Sequence, residues 1–156
     1  MNNKKLATAY HKLLVSIDWE DELLVAGISE GISKFLSNAY LSLYKGNKKY
    51  FTSHYFSENA IKKVENNDFS ELVFEHVVPK DKFIQKICKE KAENGILTID
   101  FIENLLEKYW IIATITKEED KTLISRNMPK DWDGIDLFSR YNLAKVNLIK
   151  NPFDIK

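Results

Sequence analysis

Between Asp18 and Tyr44 the apolar residues Leu24, Ile28, Ile32, Phe35, Ala39 and Leu43 recur every three or four positions, which is the spacing of one face of an α-helix. A strand alternates faces at every residue and would scatter these side chains to both sides. The chain is therefore built around one long helix, and the rest must supply surfaces to cover it. Asp18 is the expected N-cap, and the acidic run Glu20, Asp21 and Glu22 suits the positive end of the helix dipole. Gly27 and Gly31 sit four apart inside the helix. They form either a notch for another helix backbone or a point of flexibility, because each costs about 1 kcal/mol relative to Ala. Leu24, Ile28, Ile32, Phe35 and, from a later helix, Leu106 are the expected core.

The remaining segments alternate in type. Lys4–Val15 carries Leu6, Tyr10, Leu13 and Leu14 at helical spacing. Gly46-Asn47 stops the long helix, and Tyr50–Phe56 is an aromatic run without helical period, read as extended. Ser57 caps a short helix through Glu65, Leu72–Val78 is a strand closed by Pro79, and Phe83, Ile84, Ile87 and Cys88 share the face of a helix ending near Gly95. Thr98–Trp110 is helical, Ile111–Ile115 is a buried strand, and Thr116-Lys117-Glu118-Glu119 has the capping-box form. Ile135–Ala144 is the last helix. These segments predict an α+β fold, a single globular domain over residues 1–156 that is predominantly α-helical, with a small sheet of two or three strands.

Composition narrows the function. The chain has 23 basic and 23 acidic residues, so no net field draws it to nucleic acid or to an anionic membrane. Only two of the basic residues are arginines, Arg126 and Arg140, leaving few planar forks for phosphates or guanine edges. The lone Cys88 and three scattered histidines give no zinc spacing, and the unpaired thiol fits a reducing cytoplasm. No apolar run follows Met1-Asn2-Asn3-Lys4-Lys5, and no stretch nears the roughly 18 apolar residues of a bilayer span. The Lys, Asn and Ile bias is that of an AT-rich genome, such as a low-GC bacterium or its phage.

The string Glu75-His76-Val77-Val78-Pro79 resembles the opening of HNH-type nucleases. That resemblance implies a hairpin on which Glu75 ligates a divalent metal while His76 activates water, a task suited to an imidazole of ordinary pKa. The family closes its motif with Asn and then His or Asn. No His follows His76, and Asn94 and Asn104 are the residues available as further ligands. A structural role for His76 is the plainer alternative.

Other signals are weighed beside their plain readings. Glu118, Glu119 and Asp120 could offer oxygen ligands to a cation, but their place after a capping Thr favours the helix dipole. Asp131, Asp133 and Asp136 fail the calcium-loop form, because Gly134 follows the second acid directly. Lys45, Lys48 and Lys49 interleave with Tyr50, Phe51, His54, Tyr55 and Phe56, as in platforms for single-stranded nucleic acid; aromatic core strands read the same way. Trp132, Arg140 and Tyr141 form a candidate binding patch, since aromatics and Arg dominate interfaces. Its plain counterpart folds Trp132 inward and pairs Arg140 with Asp136. Two functions follow. One is a small non-catalytic protein-binding or regulatory domain with a protein partner and no cofactor. The alternative is a metal-dependent nuclease acting through Glu75 and His76.

Overall fold

The computed structural model of the protein describes residues 2–46 and 48–153; Met1 and Asn47, both named above, lie outside them. It is an α+β fold, 54% helical, with a four-stranded mixed sheet. The sheet thus exceeds the two or three strands expected. The chain groups into two compact units, Met1–Lys45 with Lys80–Tyr109, and Gly46–Pro79 with Trp110–Lys156.

The first unit is helical. Helix α1, Asn3–Val15, buries Leu6, Ala7, Tyr10 and Leu14. Helix α2, Glu22–Leu43, is capped by Asp21, whose side chain accepts from the Leu24 amide at 3.0 Å. Asp18 instead organises the turn before it, accepting from the amide of Glu20. The α2 stripe lies one position round from expectation. Leu36 and Tyr40 are buried, Ile28, Ile32 and Phe35 are half-buried, and Leu24 is 40% exposed. The run Leu23-Leu24-Val25-Ala26 is apolar on all sides, so periodicity could not decide which row faces inward. Nothing lies within 4 Å of a side-chain carbon placed on Gly27 or Gly31, so among the described residues no helix backbone uses these glycines as a notch, the first of the two alternatives. A π-helical turn, Asp81–Gln85, leads into α4, Lys86–Glu93, and α5, Ile99–Tyr109, buries Ile102 and Leu106 against the unit's interior.

The second unit is a sheet in the order β2-β3-β1-β4, with β1 at Tyr55–Ser57, β2 at Leu72–His76, β3 at Ile112–Thr116 and β4 at Leu148–Lys150. β1 runs parallel to β3 and antiparallel to β4, while β2 runs antiparallel to β3. Alternation along the strands makes two cores. One holds Ala113, Ile115, Val77, Leu123, Tyr141 and Val146; the other holds Phe56, Leu72, Ala60 and Val64, edged by Tyr50, Phe51, Phe69 and Phe153. The aromatics of the Lys45–Phe56 segment therefore pack inward, and Lys48 and Lys49 lie over the rings of Phe69 and Phe74. Within that segment Lys49–Thr52 is a 3-10 turn, and only the last residues form strand.

The β1–β3 pair is too short to hold by its ladder alone. Side chains extend it: the Ile112 amide donates to His54 Nδ1 at 3.0 Å, and Ser53 and Thr114 share a buried hydroxyl hydrogen bond of 2.7 Å. Asn151 donates to the carbonyls of Phe51 and Ser53. Glu119 then joins two helix starts. Its Oε2 accepts from Ser57, the N-cap of α3 (Glu58–Glu65), at 2.6 Å, and from the Thr116 amide, the N-cap of α6 (Lys117–Asp120), at 2.9 Å. The acidic run is thus used for capping, as its position implied.

Glu119→Ala removes the acceptor of a buried Ser57 hydroxyl and one half of a capping box, and is expected to cost about 1–3 kcal/mol. Urea titration should find the exposed neighbour Glu118→Ala within about 0.5 kcal/mol of wild type. Burial holds the His54 imidazole below its ordinary pKa. The unfolded chain then binds this proton more readily than the folded one, so the stabilisation is complete above the ordinary value of about 6.5 and is lost as pH falls below it. The thermal midpoint of wild type should drop more than that of His54→Gln between about pH 7.5 and pH 5.5.

Candidate functional site

The two sequence-derived sites of the second unit meet at one residue. Arg140 lies on α7, Ser139–Ala144, and is 3% exposed. Its Nε and Nη2 donate to the Ile124 carbonyl at 3.0 and 2.8 Å, and its Nη1 donates to the carbonyls of His76 and Val77 at 2.9 and 3.3 Å. Nη2 also reaches Glu75 Oε1 at 3.2 Å. The guanidinium thus makes five hydrogen bonds to four acceptor atoms, the Ile124 carbonyl taking two, which meets the requirement for burying it. Glu75 rather than Asp136 is its carboxylate partner.

Consecutive strand positions send side chains to opposite faces. Glu75 accordingly faces Arg140, while His76 meets the Trp110 ring edge-on with centroids 4.7 Å apart. Among the described residues no three His, Cys, Asp or Glu side chains are grouped to hold a metal ion. Asn94 and Asn104 belong to the helical unit. Asn94 caps the end of α4, donating to the Glu90 carbonyl at 2.8 Å, and Asn104 is exposed on α5.

Tyr141 is 1% exposed, and its buried hydroxyl has no hydrogen-bond partner among the described residues. Burial raises its pKa, with the Glu75 charge adding to the effect. Arg140 and Tyr141 therefore lie beneath the surface, not on it, and of the expected patch Trp132 alone is within reach of a partner.

Around Trp132 the chain forms a groove of about 300 Å³, walled by Pro129, Asp131, Trp132, Asp136, Asn142 and Leu143. Sequence periodicity extended the last helix back to Ile135, but Asp133 Oδ1 accepts the amides of Ile135 and Asp136, and Asp136 Oδ1 accepts that of Phe138. Those turns hold residues 133–138 out of the helix and lower the Asp133 pKa. Trp132 Nε1 donates to the Asp136 carbonyl at 2.7 Å, which fixes the indole as one wall. Leu143 is 63% exposed and Ile135 is 80% exposed. Neither stood out in the sequence, since an apolar residue in an apolar-periodic helix reads as core until the helix is seated.

Arg140→Met removes the hydrogen bonds of a buried guanidinium to three main-chain carbonyls and to the half-buried Glu75 and should cost about 1–3 kcal/mol by denaturant titration. Tyr141→Phe removes a hydroxyl without a partner and should leave stability unchanged or raised. No protein-family model matches the chain, and no curated protein and no solved structure matches it.

Proposed function

We propose that the chain is a small cytoplasmic, non-catalytic protein-binding domain, and that the groove at Trp132 receives the partner. The supporting observation is the pairing of a fixed indole wall with the exposed Leu143, on a helix anchored from below by Arg140, with Ile135 exposed in the turn that precedes that helix. A large exposed apolar side chain beside a concave aromatic wall is the composition of an interface core. The anchoring matters as much, because a surface that is already ordered loses less entropy on association. Arg140 and Tyr141 then support the interface without touching the partner. The buried, unpaired Cys88 thiol, pushed up to about 12 by burial, agrees with a reducing compartment and with no thiol chemistry. In all described residues no helix is long and apolar enough to cross a membrane.

Leu143→Asp places a charge in the groove at an exposed position. It should reduce capture of the native partner by tenfold or more, roughly the loss of one hot spot, while circular dichroism and the thermal midpoint stay near wild type. A partner whose capture survives both Leu143→Asp and Ile135→Asp binds elsewhere and overturns the assignment.

A further inference from the structure

The walls of the Trp132 groove spend their hydrogen-bond donors on one another. Trp132 Nε1 and Ser139 Oγ both donate to the Asp136 carbonyl, at 2.7 and 2.8 Å. The Ile135 and Asp136 amides go to Asp133 Oδ1, the Phe138 amide goes to Asp136 Oδ1, and Asn142 Nδ2 donates to Asp136 Oδ2 at 2.9 Å. One N–H of the Asn142 amide is the side-chain donor left over. Acceptors remain in larger number. Asp131 has no hydrogen bond or ion pair among the described residues, Asp133 keeps its Oδ2, and Asn142 keeps its Oδ1.

The charge of the walls has the same bias. Asp131, Asp133 and Asp136 line the groove, no Lys, Arg or His does so among the described residues, and the adjacent Lys130 lies outside the wall. Hydrogen bonds from the Ile135 and Asp136 amides lower the Asp133 pKa, so this carboxylate is ionised at neutral pH. In a chain of zero formal net charge the groove is therefore a local negative field, which repels the phosphates of nucleic acid and attracts cations. The acids are not gathered around one point as a bare metal ion requires. An occupant must bring its N–H donors on an arm and also cover the exposed Leu143 and the indole. Arginine has both properties, because its flat guanidinium stacks on an aromatic ring, carries five N–H groups and follows an apolar stem.

We propose that the groove receives a basic, apolar peptide segment of a protein partner, with an arginine lying on Trp132 and donating to Asp131 and Asp133 while a neighbouring aliphatic side chain covers Leu143. This rests on the reading of the groove as the docking site and adds the chemistry of what docks there. A neutral or acidic segment would desolvate the same carboxylates without pairing them, and that cost is what makes the groove selective.

The test uses three short capped peptides on the full chain, followed by heteronuclear NMR. One alternates leucine and arginine, the second replaces each arginine by citrulline, a neutral urea of the same shape, and the third replaces it by glutamate. The arginine peptide should saturate with a Kd below about 1 mM and shift the Trp132 indole and the amides of residues 129–143. The citrulline peptide should bind about tenfold more weakly, and the glutamate peptide should not saturate. Asp131→Asn with Asp133→Asn keeps the Asp133 turn acceptor and removes both charges. It should bring the arginine peptide to the affinity of the citrulline peptide and leave the latter unchanged, which shows that the groove is still formed. Leu143→Ala should weaken both peptides by the same factor. The proposal is overturned if the citrulline or glutamate peptide binds as tightly as the arginine peptide, if the double asparagine variant keeps the wild-type preference, or if the shifts lie outside the groove. Should native-partner capture still be lost in the Leu143 and Ile135 variants, the groove stands as the docking site and only its charge preference falls; should capture survive them, both fall.

Discussion

A guanidinium cannot be buried unless every N–H finds an acceptor, and Arg140 meets that condition by drawing together parts of the chain that are far apart in sequence. Its acceptors come from the end of β2, from Ile124 in the irregular stretch after α6, and from the Glu75 carboxylate. Helix α7 has only six residues, too few to be stable by propensity. What holds it is this cation beneath it and the burial of Tyr141 beside it. The exposed side of the same helix carries Leu143, so the geometry of the groove follows from the clasp.

That arrangement reassigns residues which the sequence placed in two competing sites. Glu75 and Arg140 carry the charges expected of a metal ligand and an interface hot spot, yet each satisfies the other. A partly buried ion pair of this kind is better explained as a device that fixes one arrangement than as a large net contributor to stability. In the present fold the arrangement fixed is the junction of strand, loop and short helix that shapes the Trp132 groove.

How much of this the sequence discloses depends on the range of the interaction. Local signals were sufficient for the Ser57 cap, the Thr116 capping box and the helix end at Gly95, whose φ of +68° is the left-handed turn that glycine favours. β4 went unseen because Leu148–Lys150 is three residues long, and its register with β1 comes from tertiary pairing. The inward row of α2 could not be chosen from a segment apolar on every side, and Leu24, expected in the core, is 40% exposed. The Arg140 acceptors are main-chain carbonyls, which every sequence has everywhere. No residue pattern distinguishes the three that happen to converge.

The claim on which the rest depends is that the buried Arg140 and the half-buried Glu75 act as one unit. A double-mutant cycle on urea stability, with Glu75→Gln, Arg140→Met and their combination, measures this directly. If they form one clasp, Glu75→Gln destabilises the wild-type background but has little effect once Arg140 is gone, giving a coupling energy of about 1.5 kcal/mol or more. Additivity within about 0.5 kcal/mol would mean that the two side chains contribute independently, and the account of the groove's foundation would be wrong.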